Sequence, residues 1–150
     1  LDAIGAPHFC KTSGATRIHI GVPTGALYHF DKVRAFAESV CKIVAKKYPA
    51  TTSMDRNPNR RRKKIYLDYM QNRRGQTLAA PYCIRPRRGA PVSMPLEWKD
   101  LRPGVKPSDF HLGNVPARLK KRKKDPWAGV LGKPIDLAKR VKVLAQKFKF

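Results

Sequence analysis

Acidic residues are scarce in this 150-residue chain: 10 aspartates and glutamates stand against 33 lysines and arginines, a formal net charge of +23. That excess is far larger than solubility requires. A field of this sign favours polyanions, either nucleic acid or an anionic membrane surface. Long apolar runs are missing as well. Nothing approaches the ~20 residues of a membrane span, and no apolar signal segment opens the chain. Nucleic acid is therefore the expected partner, with no membrane. Cysteines are few: Cys10, Cys41 and Cys83 are odd in number and widely spaced. No CxxC pair suggests zinc, and no even framework suggests secretion, so reduced thiols in a cytoplasmic protein are expected. His8 lies close to Cys10, but two potential ligands do not make a metal site.

What is present fits one globular domain. Hydrophobic residues make up 41%, and a chain of this length buries about 68–70% of its unfolded surface. LDAIGAPHF reads as a helix end running into a strand, with Gly5 as the stop and Pro7 just beyond it. That beginning, at Leu1 and without methionine, suggests a domain entered part-way through, so further parts are expected upstream. Phe9 to Ser13 and Arg17 to Val22 are strand candidates around the turn KTSGATR. In the second, Ile18, Ile20 and Val22 share one face, and Arg17, His19 and Gly21 the other. Asp31 is expected to cap a helix whose apolar positions Val33, Phe36, Val40, Ile43 and Val44 follow the 3.6-residue period, closed by Tyr48 and Pro49. The arginine-rich MDRNPNRRRKK reads as a loop leading into KIYLDYMQNRRGQ. That last stretch reads as a strand with Asp68 near its centre, Ile65, Leu67 and Tyr69 on one face and Tyr66, Asp68 and Met70 on the other.

This strand, helix, strand order predicts an α/β or α+β fold with a covered mixed sheet. After Gly75 four prolines keep regular structure short and the chain extended. Ser108 or Asp109 is expected to cap a brief turn. RLKKRKKDPW is a charge run. Residues 133–150 read as a basic amphipathic helix or tail following a 1–132 domain, with Leu137, Val141, Leu144 and Phe148 on one face and Pro134 in the first turn. Packing on the domain is the commoner fate of such a helix, and binding an acidic membrane the rarer one.

Three features could carry chemistry. The Ser13–Gly14 bend could aim a hydroxyl and backbone N–H groups at a phosphate, with His19 donating to the same anion from the adjoining strand; an ordinary hairpin with a satisfied histidine has the same spacing. Asp68 alone is either a surface or salt-bridged carboxylate or one member of a metal cluster. The remainder of such a cluster is not in the chain, since Asp2 sits at a helix end and Asp31 at a cap. Arg60, Arg61, Arg62, Lys63 and Lys64 suit nucleotide or DNA phosphates, as does the run from Arg118 to Lys124, although solvated loops have the same composition.

Read together, TSGATRIHI, KIYLDYMQNRRGQTLAAPYCIRPRRGAPVSMPLEW, DFHLGNVPARL and DPWAG resemble, in unbroken order from Phe9 to Gly129, the polymerase domain of bacterial DNA ligase D. That domain belongs to the archaeo-eukaryotic primase superfamily and works in non-homologous end joining. The resemblance implies an α+β primase-polymerase core of which this chain is the C-terminal part. It implies that Ser13, Gly14 and His19 bind an incoming nucleoside triphosphate. It also implies that Asp68 is catalytic as a ligand for Mn2+ or Mg2+, and that Arg61, Gln71 and Arg85 contact the nucleotide. Nucleotides, preferably ribonucleotides, would be added to primer 3′ ends at double-strand breaks by two-metal transfer. DNA ends would be the partner, with Ku and ligase or nuclease modules as further partners and a nucleoid-associated location. Two departures stand out. The family's paired aspartates on an earlier strand have no counterpart here, so this chain alone is expected to be inactive. Thr16 and Arg17 replace the usual lysine and glycine of the second motif. The rival reading is a non-catalytic nucleic-acid-binding module of a repair complex.

Overall fold

The computed structural model describes residues 1–149; Phe150, the last residue of the 133–150 segment, lies outside them. Strand β1 (Phe9–Thr12) is the centre of a three-stranded antiparallel sheet in the order β2-β1-β5, with β2 spanning Ile18–Gly21 and β5 Pro95–Leu96. Lys11 stands opposite His19, and Cys10 opposite both Ile20 and Leu96. Isolated bridges Ile84↔Val92 and Pro91↔His111 extend this pairing through the proline-rich stretch. Prolines lack the N–H a ladder needs, which keeps these pairings short.

Helix α1 (Phe30–Lys47) ends at Tyr48, as the periodicity predicts, but its N-cap is His29, whose ring accepts from the Asp31 amide. Asp31 instead lies in the first turn, where its charge complements the helix dipole and pairs with Arg34 at 3.4 Å. The loop that follows holds one helical turn, α2 (Pro58–Arg61), because Asn57 caps it and Pro58 fixes its first φ.

Two-residue strands β3 (Thr52–Ser53) and β4 (Ile65–Tyr66) pair in parallel. The expected longer strand through Asp68 does not form. Leu67 makes the last ladder bond, to the Ser53 carbonyl, and β3 then supplies no further partner. Without one the backbone leaves the extended state and winds into a 3-10 turn at Met70–Asn72. Asp68 thus sits in the bend after the strand.

Beyond β5, Asp109 closes the Pro107–Asp109 turn from its last residue, its carboxylate accepting from the Lys106 amide. Part of the charge run is helical in α3 (Val115–Lys120). The last helix, α4 (Leu137–Phe148), is capped by Asp136, so Pro134 precedes it instead of lying in its first turn.

Two apolar clusters hold the fold. Ile4, Ala6 and Phe36 pack with Ile135, Leu137 and Leu144, so α4 shares a core with α1 and the N-terminus. Cys10, Val92, Met94, Leu96, Phe110 and Val115 form the second cluster around the sheet. Each large side chain buried in this way contributes about 1.5–3 kcal/mol. Strand β2 is turned opposite to the pattern reading: Ile18 and Ile20 are exposed, while the His19 face meets Lys11 and the Trp127 ring closes over Gly21. As an edge strand it follows β1, whose Lys11 is buried, and so its histidine points inward.

Candidate functional site

At the end of β1 the chain turns through Ser13 and Gly14. Gly14 adopts φ +65°, and a Cβ there would lie 2.5 Å from the Arg85 Cγ and 3.0 Å from the Ser93 amide nitrogen. Only glycine fits both the left-handed backbone and that close approach. The Ser13 hydroxyl oxygen accepts from the amides of Ala15 (3.1 Å) and Arg17 (3.0 Å), and the Ser13 amide donates to the Arg17 carbonyl at 2.8 Å. These two amides are therefore tied into the turn rather than aimed at a ligand. The hydroxyl proton, which has no acceptor among the described residues, is what the bend can offer.

Arg85 lies against this bend with its Nε buried and unpartnered among the described residues. A buried guanidinium N–H without an acceptor is an unmet demand for an anion. His19 is half-buried and faces Lys11, whose Nζ lies 3.1 Å from its Nδ1. Burial first, then the cations Lys11, Arg17 and Arg85, push the imidazole down to about 4, with Asp68 opposing. The ring is neutral at physiological pH. Four of these groups thus act on His19 through one shared field.

Asp68 is held by Arg17, Nη1 to Oδ2 at 2.9 Å. Arg17 also lies 5.9 Å from the Tyr66 ring, and Arg61 covers the same ring at 4.7 Å. Arg61, Tyr66, Arg17 and Asp68 therefore form a continuous row. The Arg61 guanidinium spends its Nη1 on the carbonyls of Asp55 and Arg56, which fixes its position. Gln71, one turn past Asp68, donates to the Thr77 carbonyl and touches none of these groups by hydrogen bond. Burial first, then the negative charges of Asp68 and Glu38, push the Cys41 thiol of α1 up to about 11.

The structure therefore gathers Ser13, Gly14, His19 and Arg85 at one bend and adds Asp68 through Arg17 and Arg61 through Tyr66, with Gln71 apart. Among the described residues no group of three His, Cys, Asp or Glu side chains could hold a metal ion. One carboxylate neutralised by a guanidinium does not by itself fit Mn2+ or Mg2+. Cavities of about 640 Å³ at His8 and Trp98 and about 500 Å³ at Asp100 and Arg118 share no residue with the bend, whose Ser13 and Gly14 are buried.

Pattern reading missed Lys11, Ser93 and Tyr66. A lysine two residues before a Ser-Gly bend, in a strand otherwise buried, was the one available signal for the first. The other two come from segments remote in sequence.

The family model of the LigD primase-polymerase domain matches residues 1–127. The chain is 35% identical over 133 residues to the multifunctional non-homologous end joining protein LigD of Pseudomonas aeruginosa, covering 88% of this chain and 16% of that protein. It is 28% identical over 123 residues to the bifunctional non-homologous end joining protein LigD of Bacillus subtilis, covering 81% of this chain and 20% of that protein. The polymerase domain of Mycobacterium tuberculosis ligase D, solved in complex with DNA, superposes with a TM-score of 0.78 at 23% identity, over 90% of this chain and 46% of that one. The chain thus spans less than half of the solved domain and about a fifth or less of these two curated relatives. The family-model match over residues 1–127 and the 35% identity over 88% of its length make this chain a member of the LigD primase-polymerase family.

Proposed function

We propose that this chain forms the nucleotide-binding side of a DNA-repair polymerase that adds nucleotides, preferably ribonucleotides, to primer 3′ ends at double-strand breaks. The observation that carries the reading is the convergence of a free serine proton, a neutral imidazole and an unpartnered buried guanidinium N–H on one bend. A triphosphate offers acceptors to all three, and charged acceptors make the strongest such bonds. Arg17, Arg61 and the loop from Arg60 to Lys64 would meet nucleotide and template phosphates, and the Arg118 to Lys124 run would hold DNA. Asp68 would contribute one ligand to a divalent-metal site, and what this chain performs unaided is binding and orientation of substrate. Ku and ligase or nuclease modules are natural partners, given relatives named for end joining.

A second reading, a nucleic-acid binder without catalysis, is favoured by the Arg17–Asp68 ion pair, which occupies the proposed metal ligand. Primer extension separates the two. With manganese and a ribonucleoside triphosphate, this chain alone is expected to extend nothing. Supplied with a companion segment carrying an Asp-x-Asp strand, it is expected to extend a primer, and Asp68→Ala should abolish that extension while sparing DNA affinity. Both forms should bind DNA with an affinity falling about 10³–10⁵-fold between 50 and 200 mM salt for six to ten phosphate contacts. Extension by the supplemented Asp68→Ala protein would remove the metal-ligand role of Asp68, and no extension by the supplemented wild-type chain would rule out the catalytic reading.

A further inference from the structure

Lys11 is a charged side chain with no exposed surface, set in the middle of β1. Its Nζ lies 2.6 Å from the Ser93 Oγ, 2.7 Å from the Ala79 carbonyl and 3.1 Å from the His19 Nδ1. The Trp127 ring closes the remaining side at 5.7 Å. An ammonium carries three donors and no acceptor. Ser93 passes its own proton on to the Thr12 carbonyl at 2.9 Å, so its oxygen is free to accept from Lys11. All three Lys11 donors are then satisfied only if His19 Nδ1 is unprotonated. We infer that Lys11 is a positioning residue that locks the neutral His19 into the tautomer with its proton on Nε2, presenting that N–H to the anion bound at the Ser13–Gly14 bend.

This inference rests on the reading of the bend as an anion site, and it explains the placement of a costly buried cation. Desolvation of Lys11 is tolerated because every donor has an acceptor. In return the histidine is oriented through one nitrogen, as ring nitrogens commonly are by the partner of the other. Nε2 makes no hydrogen bond among the described residues. A neutral imidazole held in the other tautomer would turn an unprotonated Nε2 outward, which repels a phosphate oxygen instead of bonding it. Facing His19 are Lys11, Arg17, Arg85 and Asp68, and facing Lys11 are His19, Cys83 and Arg85. Burial and, after it, three cations around the imidazole keep it neutral, which leaves its tautomer the one property that decides whether it donates.

Long-range ¹⁵N NMR of the imidazoles in the full 150-residue chain at pH 7 tests this, with the His19 signals identified by their loss in His19→Gln. The wild-type spectrum is expected to show a protonated Nε2 and an unprotonated Nδ1. That spectrum does not depend on any Lys11 variant, and a protonated Nδ1 would overturn the inference outright. Lys11→Met, which keeps the length and apolar stem, is expected to give mixed tautomers and binding of inorganic triphosphate weakened about twofold or more, by the fraction of the Nε2-protonated form that is lost, with a further loss when His19→Gln is added. A folded Lys11→Met protein with the wild-type tautomer would also overturn it. Should the tautomer behave as stated while triphosphate leaves the His19 signals unmoved, the anion-site reading fails, and with it the outward half of the inference.

Discussion

Arg17 and Asp68, 51 residues apart in the chain, meet at 2.9 Å. The acid that follows the arginine-rich loop is therefore the counter-charge of the arginine that follows the Ser-Gly bend, and this pair fastens the β3–β4 unit to β2. It is a partly solvated contact, with 57% of the Arg17 side chain and 21% of the Asp68 side chain exposed.

An ion pair of that exposure contributes about 0–1 kcal/mol. Arg17→Ala and Asp68→Ala are each expected to lower the unfolding free energy by less than about 1 kcal/mol, read from the midpoint of urea denaturation. A loss above about 2 kcal/mol for Asp68→Ala would mark the carboxylate as a structural post and remove the reason to assign it a ligand role.

His19 should make the fold sensitive to acid. The unfolded chain takes up a proton on this ring below its ordinary 6.5, while the folded chain resists it until about pH 4. The unfolded state binds more protons in that window, so stability falls as the pH drops from 6.5 to 4, by well under what the full shift would give because solvent screens the half-buried ring. His19→Gln should flatten the wild-type slope across this window in a series of chemical denaturation curves. Equal slopes would mean that the imidazole is better solvated than its surroundings indicate.

Gly14→Ala is expected to damage both fold and site. The left-handed backbone at this position strains any residue with a Cβ by about 1–2 kcal/mol, and the added methyl would collide with Arg85 and the Ser93 backbone. A Tm drop of several degrees together with loss of triphosphate binding should follow. Unchanged binding in a destabilised variant would separate Arg85 from the anion.

Leu144 is 2% exposed, in the cluster shared by α4, α1 and the N-terminal turn. Leu144→Ala should cost about 2–5 kcal/mol, and removing residues 137–150 should leave no cooperative unfolding transition. A truncated chain that melts cooperatively at an unchanged Tm would show that the last helix is dispensable to the core.

Some of this molecule is written in short-range chemistry. The strand pair around the bend, the long helix ending at Tyr48 and the broken character of the proline-rich stretch follow from local periodicity and from what proline and glycine permit. Charge balance gives the expectation of a polyanionic partner without any fold. Boundaries depend on longer-range facts. Whether KIYLDYM continues as a strand depended on how far β3 could supply backbone partners, and β3 supplies two residues. Which side of β2 is inside was decided by β1, where Lys11 and not an apolar residue is the buried neighbour of His19. A lysine surrounded by a serine, a carbonyl and an imidazole from three separate segments satisfies all its donors only after those segments have come together. No pattern within one strand encodes that arrangement, because hydrogen-bond satisfaction is a property of assembled neighbours, whereas periodicity and charge belong to the chain itself.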